Sequence, residues 1–114
     1  MTSQEERMAR NETRFREANE RVGATAKLHG GEGSIPFICE CGREDCMQVV
    51  RIRPSDYERI RSVATHFLYA AGHERQIPNS IAVEMLEGAV IVEKLDGPGR
   101  IAIETDPRAT QAAG

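Results

Sequence analysis

The sequence predicts an α+β fold in one small domain: an N-terminal helix, a cysteine-bearing β-hairpin with a metal site at its tip, a central helix, and a C-terminal hairpin or three-stranded meander. Capping boxes of the form S-x-x-E at Ser3 and Ser55 mark two helix starts. Apolar residues alternating with a period of two, which is typical of strands, occur within residues 48–53 and 81–95. Three cysteines fall within residues 39–46, and such a cluster is typical of a metal site.

The first element is a helix over residues 3–22. Its apolar stripe is narrow because the apolar side chains recur at sevenfold spacing, at Met8, Phe15 and Val22. This pattern predicts a helix attached along the edge of its domain, or a helix that forms a homodimer seam. Gly23 suits the C′ position that ends a helix, and residues 23–36 are predicted to form a Gly-rich loop.

The next segment is predicted to be a hairpin. Phe37–Cys39 and Gln48–Arg53 have the composition of strands, and the turn between them carries the cysteines and Gly42. A second helix is then predicted over residues 55–69. Its apolar face recurs every three or four residues, at Tyr57, Ile60, Val63, Ala64, Phe67 and Leu68.

The C-terminal part is predicted to be mostly strand. Ile81–Leu86 and Ala89–Leu95 are two strand candidates, joined through Gly88, which can take the positive φ of a bulged hairpin turn. Residues 96–99 form a predicted turn, and residues 100–104 fit either a third strand or a short helix. The metal-stapled α+β domain is therefore predicted to cover residues 37–108. Residues 109–114 are predicted to be a disordered tail.

Composition limits the function classes. Net charge is −3 with interspersed signs, which argues against nucleic acid or an anionic membrane as the main partner. The first residues lack the apolar core of a signal peptide, and no apolar run is long enough to span a membrane. The sequence thus predicts a cytoplasmic protein whose thiols stay reduced. An odd number of cysteines also favours metal binding over disulfides.

The pattern C-x-C-G-x3-C, followed by a Gly-His pair, predicts a tetrahedral zinc site. The predicted ligands are Cys39, Cys41, Cys46 and His73. His73 is preferred because it stands just past the predicted second helix, whose length can return the chain to the hairpin tip. The alternatives are that the cysteines are buried hydrophobes without a ligand role, or that another side chain is the fourth ligand: His29, His66, Glu40, Glu44 or Asp45.

Two resemblances accompany these motifs. The order of three cysteines and one histidine is similar to the ligand set of CDGSH-type iron–sulfur proteins, which implies an iron–sulfur cluster as an alternative cofactor. The spacings differ, however, and no D-G-S-H follows the third cysteine. The runs FICECGREDC, SDYERIR, FLYAAGHE and VIVEK resemble a family of small uncharacterised actinobacterial proteins over roughly residues 12–108. That resemblance implies that the three cysteines and His73 belong together, and it implies no activity.

The predicted function is a zinc-finger-like interaction module with a structural metal and a protein partner. An enzyme is disfavoured because neither H-E-x-x-H nor the H-x-E and C-x-x-C pair of zinc deaminases is present. The remaining alternatives are a nucleic-acid-binding zinc module and a redox-sensing iron–sulfur domain. The first would depend on arginines that alternate with acidic residues, at Arg43, Arg51, Arg53, Arg59 and Arg61.

Overall fold

The computed structural model describes residues 3–28, 30 and 33–108, and it confirms the predicted α+β class. The described part of the chain contains both helices and strands. In order they are α1 (Ser3–Leu28), β1 (Ile35–Ile38), β2 (Val49–Ile52), α2 (Pro54–Arg61), β3 (His66–Ala70), a 3₁₀ helix (His73–Gln76), β4 (Ser80–Leu86), β5 (Ala89–Lys94) and α3 (Asp96–Glu104).

The strands form two small antiparallel sheets. In the first, β1 pairs with β2 and places Phe37 opposite Val50, with both side chains in the core. The second has the order β3-β5-β4, so β5 lies in the middle. A bulge in β4 leaves Val83 without a partner on β5. The core lies between the sheets and helices, and the cysteines belong to the same apolar cluster as the Phe37 and Tyr57 rings, which stack with centroids 4.6 Å apart.

Helix α1 is longer than the sequence predicts. It continues through Gly23 to Leu28, because Gly23 faces the core, where an added Cβ would lie 3.9 Å from the rings of both Phe37 and Tyr57. The polar side chains of Glu12, Arg16 and Asn19 are buried. The buried face of α1 is therefore wider than its apolar stripe predicts, since it includes these polar residues.

The predicted helix over residues 55–69 is two elements. Helix α2 ends at Arg61, and strand β3 follows from His66 to Ala70. Each residue of β3 pairs with β5, which buries Phe67–Ala70 almost completely. A strand buried on both faces has a continuous apolar sequence, which periodicity cannot distinguish from a buried helix.

The C-terminal hairpin is confirmed as β4 and β5, with Gly88 at φ +74° in its turn. Residues 100–104 belong to a helix, and the predicted turn before them is the first part of that helix, α3. The third strand of the sheet is β3 instead. The predicted tail, residues 109–114, lies outside the described residues. None of the helices in the described part of the chain has both the length and the apolar character needed to cross a membrane.

Candidate metal centre

The structure brings together the four side chains that the sequence predicts as ligands. One donor atom from each of Cys39, Cys41, Cys46 and His73 lies within 4.8 Å of every other. His73 Nδ1 is 3.4 Å from Cys39 Sγ and 3.7 Å from Cys46 Sγ. Three thiols and one imidazole nitrogen are a donor set that suits metal ions. The cluster could therefore hold a metal ion.

The cysteine segment is held by backbone hydrogen bonds on both sides. The Cys39 amide donates to the Gln48 carbonyl at 3.0 Å, which extends the β1–β2 hairpin by one step. The Ala70 amide of β3 donates to Cys39 Sγ at 3.1 Å. The Cys46 amide donates to the Arg43 carbonyl at 3.1 Å and closes a tight turn. These bonds aim the sulfurs at one point.

Gly42 turns the chain between Cys41 and Cys46 and contacts α1 directly. Its φ of +78° favours glycine, and an added Cβ would lie 2.6 Å from both Glu12 Cγ and the Met8 carbonyl oxygen. Asn11 Nδ2 donates a hydrogen bond to the Gly42 carbonyl at 3.2 Å. The cysteine loop thus rests directly against α1.

His73 reaches the cluster by a different route from the predicted one. The chain returns through strand β3, and Gly72 at φ +94° then turns it into the short 3₁₀ helix that begins with His73. His73 thus lies in the cluster, but a strand and a short 3₁₀ helix bring it there and not a helix of matching length. What brings His73 close is that β3 lies beside the cysteine segment.

The three thiols differ in acidity. Hydrogen bonding from the Cys39 thiol lowers the pKa of Cys41 to about 5, and hydrogen bonds from the Arg43 amide, His73 and Cys46 act in the same direction. The same interaction with Cys41, together with burial, raises the pKa of Cys39. Burial raises the pKa of Cys46. One of the three thiols therefore ionises readily, and the other two hold their protons.

Glu40 lies between two cysteines in sequence, but its carboxylate points away from the cluster. Glu40 is fully buried, and its oxygens accept hydrogen bonds from Asn19 Nδ2 at 2.9 Å, Tyr57 OH at 2.6 Å and the Leu68 amide at 3.0 Å. Burial raises its pKa, and the bonds from Tyr57 and Asn19 oppose that shift. Glu40 is thus a structural anchor rather than the fourth ligand.

The other alternative ligands are also placed away from the cluster or lie outside the described residues. His66 is on β3, where its Nε2 lies 3.7 Å from a Glu93 carboxylate oxygen. The Asp45 carboxylate pairs with Arg43 at 3.0 Å, and Glu44 is exposed. His29 falls outside the described residues.

A buried ionic group beside the cluster is missed by the sequence analysis. Lys94 Nζ lies 2.8 Å from Glu12 Oε2 and donates to Tyr69 OH at 2.9 Å, while Tyr69 OH donates to Glu12. Burial raises the pKa of Glu12, and the charge of Lys94 opposes this shift. Glu12 also contacts Gly42, so this group links α1, β3 and β5 to the cysteine loop. No local sequence motif predicts this ionic group, because its three residues are far apart in sequence.

Comparisons with known proteins add no family. No family model matches the chain, and no curated protein or solved structure matches it. The resemblance to small actinobacterial proteins stays a prediction.

Proposed function

We propose that the chain is a small zinc-binding module in which Cys39, Cys41, Cys46 and His73 hold one structural Zn²⁺ and the folded surface binds another protein. One observation carries the metal assignment. A tetrahedral zinc with ordinary bond lengths separates a sulfur ligand from a nitrogen ligand by about 3.6 Å. His73 Nδ1 lies 3.4 Å and 3.7 Å from the sulfurs of Cys39 and Cys46.

The compactness of the cluster favours a single ion over an iron–sulfur cluster. All four donor atoms lie within 4.8 Å of one another. An iron–sulfur cluster would hold them on different irons, farther apart by the width of the cluster. Thiolates and imidazole suit zinc among single ions. Clustered cysteines that bind metal instead of forming disulfides are typical of the cytoplasm, which supports a cytoplasmic location.

The surroundings favour a structural metal over a catalytic one. A catalytic zinc keeps one position for water and has an acid or base beside it. Four protein ligands leave no such position. Acids beside the centre are engaged with other partners: three hydrogen bonds hold the Glu40 carboxylate, Lys94 pairs with Glu12, and Glu74 accepts a hydrogen bond from the Gly72 amide at 2.7 Å. We therefore infer a binding function rather than an enzyme.

A protein partner fits the surface beside the centre better than nucleic acid does. Met47 and Val49, next to Cys46, are 92% and 58% exposed, and exposed apolar side chains suit a protein interface. The arginines do not share one basic face. Arg61 is buried in an ion pair with Asp106, and Arg59 is paired with Glu84 at 2.6 Å.

The test is metal analysis of protein purified without added metal, together with two histidine variants. We expect one colourless equivalent of zinc per chain. His73→Ala should weaken zinc affinity by more than about 100-fold, since a ligand costs more than its outer-shell support. His66→Ala is the matched control and should leave affinity unchanged. A brown protein, absence of metal, or equal affinities of the two variants would contradict the proposal.

A further inference from the structure

The two outer edges of the three-stranded sheet differ. The edge of β3 is covered by the cysteine segment: the Glu40 amide donates to the Leu68 carbonyl at 2.7 Å, and the Leu68 amide donates to the Glu40 carboxylate at 3.0 Å. The edge of β4 pairs with no strand in the described part of the chain. An open edge presents a row of backbone donors and acceptors that another extended strand can satisfy.

The side chains along β4 are apolar and exposed. Ile81 is 49%, Val83 44% and Met85 62% exposed. Because of the bulge at Val83, Ile81 pairs with Glu93 of β5 and Met85 with Val90, which point to opposite faces of the sheet. The apolar side chains therefore flank the edge on both faces, where a strand added at that edge would contact both.

Charge does not protect this edge. Exposed edge strands commonly carry lysine, proline or unpaired charges that discourage pairing. The charged residue of β4 is Glu84, and Arg59 neutralises it through two contacts of 2.6 Å and 2.9 Å between guanidinium nitrogens and carboxylate oxygens. The edge is thus open, apolar and without an unpaired charge of its own.

We propose that β4 pairs antiparallel with β4 of a second copy of this chain, about a twofold axis, to form a continuous six-stranded sheet. If the axis passes between Val83 and Glu84, residues that lie opposite each other in the two copies point to the same face of the combined sheet. Odd-numbered residues of β5 point to one face of the sheet and even-numbered residues to the other. The axis places Ile81 opposite Leu86, and both pair with odd-numbered residues of β5. It places Ala82 opposite Met85, and both pair with even-numbered residues. A self-complementary strand is what a twofold contact requires.

The same register avoids direct charge repulsion. Each Glu84 faces Val83 of the other copy instead of the other Glu84. The apolar stripe of α1, which the sequence suggested as a dimer seam, is largely used within the domain, since Met8 and Val22 pack against the core. Seven residues per strand form a small interface, so the dimer is expected to be concentration-dependent.

Two variants that place opposite charges at Val83 test the proposal. Sedimentation of the full chain with bound metal should approach twice the 12.6 kDa of one chain as concentration rises. Val83→Glu puts two carboxylates directly opposite each other and should raise the dimer dissociation constant at least about tenfold. Val83→Lys, equally polar at the same exposed position, faces Glu84 and should keep the dimer.

Ile103→Glu is the control for the position of the added charge, because Ile103 is 54% exposed but lies on α3 and not on β4. This variant should dimerise like the unmodified chain. Hydrogen exchange should show β4 amides protected at high concentration and not at low concentration. The proposal is overturned if the unmodified chain stays monomeric at the highest soluble concentration, even if it captures a foreign extended peptide. It is also overturned if Val83→Glu and Val83→Lys dissociate equally, or if Ile103→Glu is the variant that dissociates.

Discussion

At the scale of single residues, the candidate centre depends on a buried carboxylate that does not face it. Glu40 accepts three hydrogen bonds, from α1 through Asn19, from α2 through Tyr57 and from β3 through the Leu68 amide. All three partners are donors, which suits an ionised carboxylate that can only accept. Because Glu40 stands between Cys39 and Cys41, holding its side chain also fixes the direction of both thiols.

We expect Glu40→Gln to destabilise the protein by about 1–3 kcal/mol, because the amide would place a donor against one of these three donors in a buried site. Glu44→Gln is the matched control in the same loop. Glu44 is exposed, so its change should stay within about 0.5 kcal/mol. Urea unfolding of the two variants measures the difference. Equal midpoints would show that the buried bonds of Glu40 do not support the loop.

The sequence could predict which residues form the candidate centre but not the residues that support them. Cysteine and histidine at close spacing indicate metal chemistry by residue type alone, and His73 is found even though the route to it was wrong. Glu40, Glu12 and Lys94 have side chains that are solvated in most proteins. Burial of these three side chains is favourable only because the fold places hydrogen-bonding and ionic partners beside them. Those partners lie far away in sequence.

At the scale of elements, α1 and the cysteine loop are packed as one unit. Helix α1 buries a polar face, with Arg16 donating to the carbonyls of Ala64 at 2.7 Å and Ala102 at 2.9 Å. It also meets the loop at Gly42, where the backbones approach too closely for a Cβ. The helix therefore supports the cysteine loop, and losing one should disturb the other.

Gly42→Ala tests this contact. The alanine would be strained by its positive φ and would also collide with Glu12 and with the backbone of Met8. Together these effects should cost more than about 2 kcal/mol and weaken metal binding. Gly88→Ala separates the two causes, because Gly88 has φ +74° but nothing within 4 Å, so it should cost only about 1–2 kcal/mol and leave metal affinity unchanged. Thermal unfolding and zinc titration of both variants measure this. Equal losses in both would mean that the close approach to α1 is unimportant.

The elements that were predicted correctly are those whose pattern is local. The alternation and turn of β4 and β5 predict a hairpin, and the structure has one. The errors arise where tertiary packing overrides the pattern. Gly23 lies within α1 on the face that packs against the Phe37 and Tyr57 rings, and the sequence of β3 resembles that of a helix because both faces of the strand are buried.

At the scale of the whole molecule, residues 39–42 connect both sheets to helices α1 and α2. Cys39 bonds to the chain just before β2, Glu40 joins β3 and α2, and Gly42 meets α1. A structural zinc contributes about 10–16 kcal/mol, against about 5–15 kcal/mol for the net stability of a typical domain. Removal of the metal should therefore unfold the sheets and helices together.

The number of protons bound when the metal is removed distinguishes cooperative unfolding from simple loss of the ion. In the proposed metal-bound fold the three thiols are thiolates. In an unfolded chain each has an ordinary pKa of about 8.5 and is protonated at pH 7. A group whose pKa is lower in the folded state than in the unfolded state stabilises the fold fully at a pH above its unfolded pKa. That stabilisation decreases as the pH falls below the unfolded pKa. The metal-bound fold should thus weaken from about pH 8.5 downward, with three protons bound per chain.

If the chain stayed folded without metal, Cys41 with its pKa of about 5 would remain a thiolate, and only two protons would bind at pH 7. We expect three. Proton uptake can be measured with an indicator dye in weak buffer as a chelator removes the metal, after subtracting the protons the chelator releases on binding free zinc. Zinc-loaded chelator is the control and should bind no protons and leave the helical circular dichroism signal intact. Uptake of two protons with an unchanged helical signal would show that the fold stands without its metal.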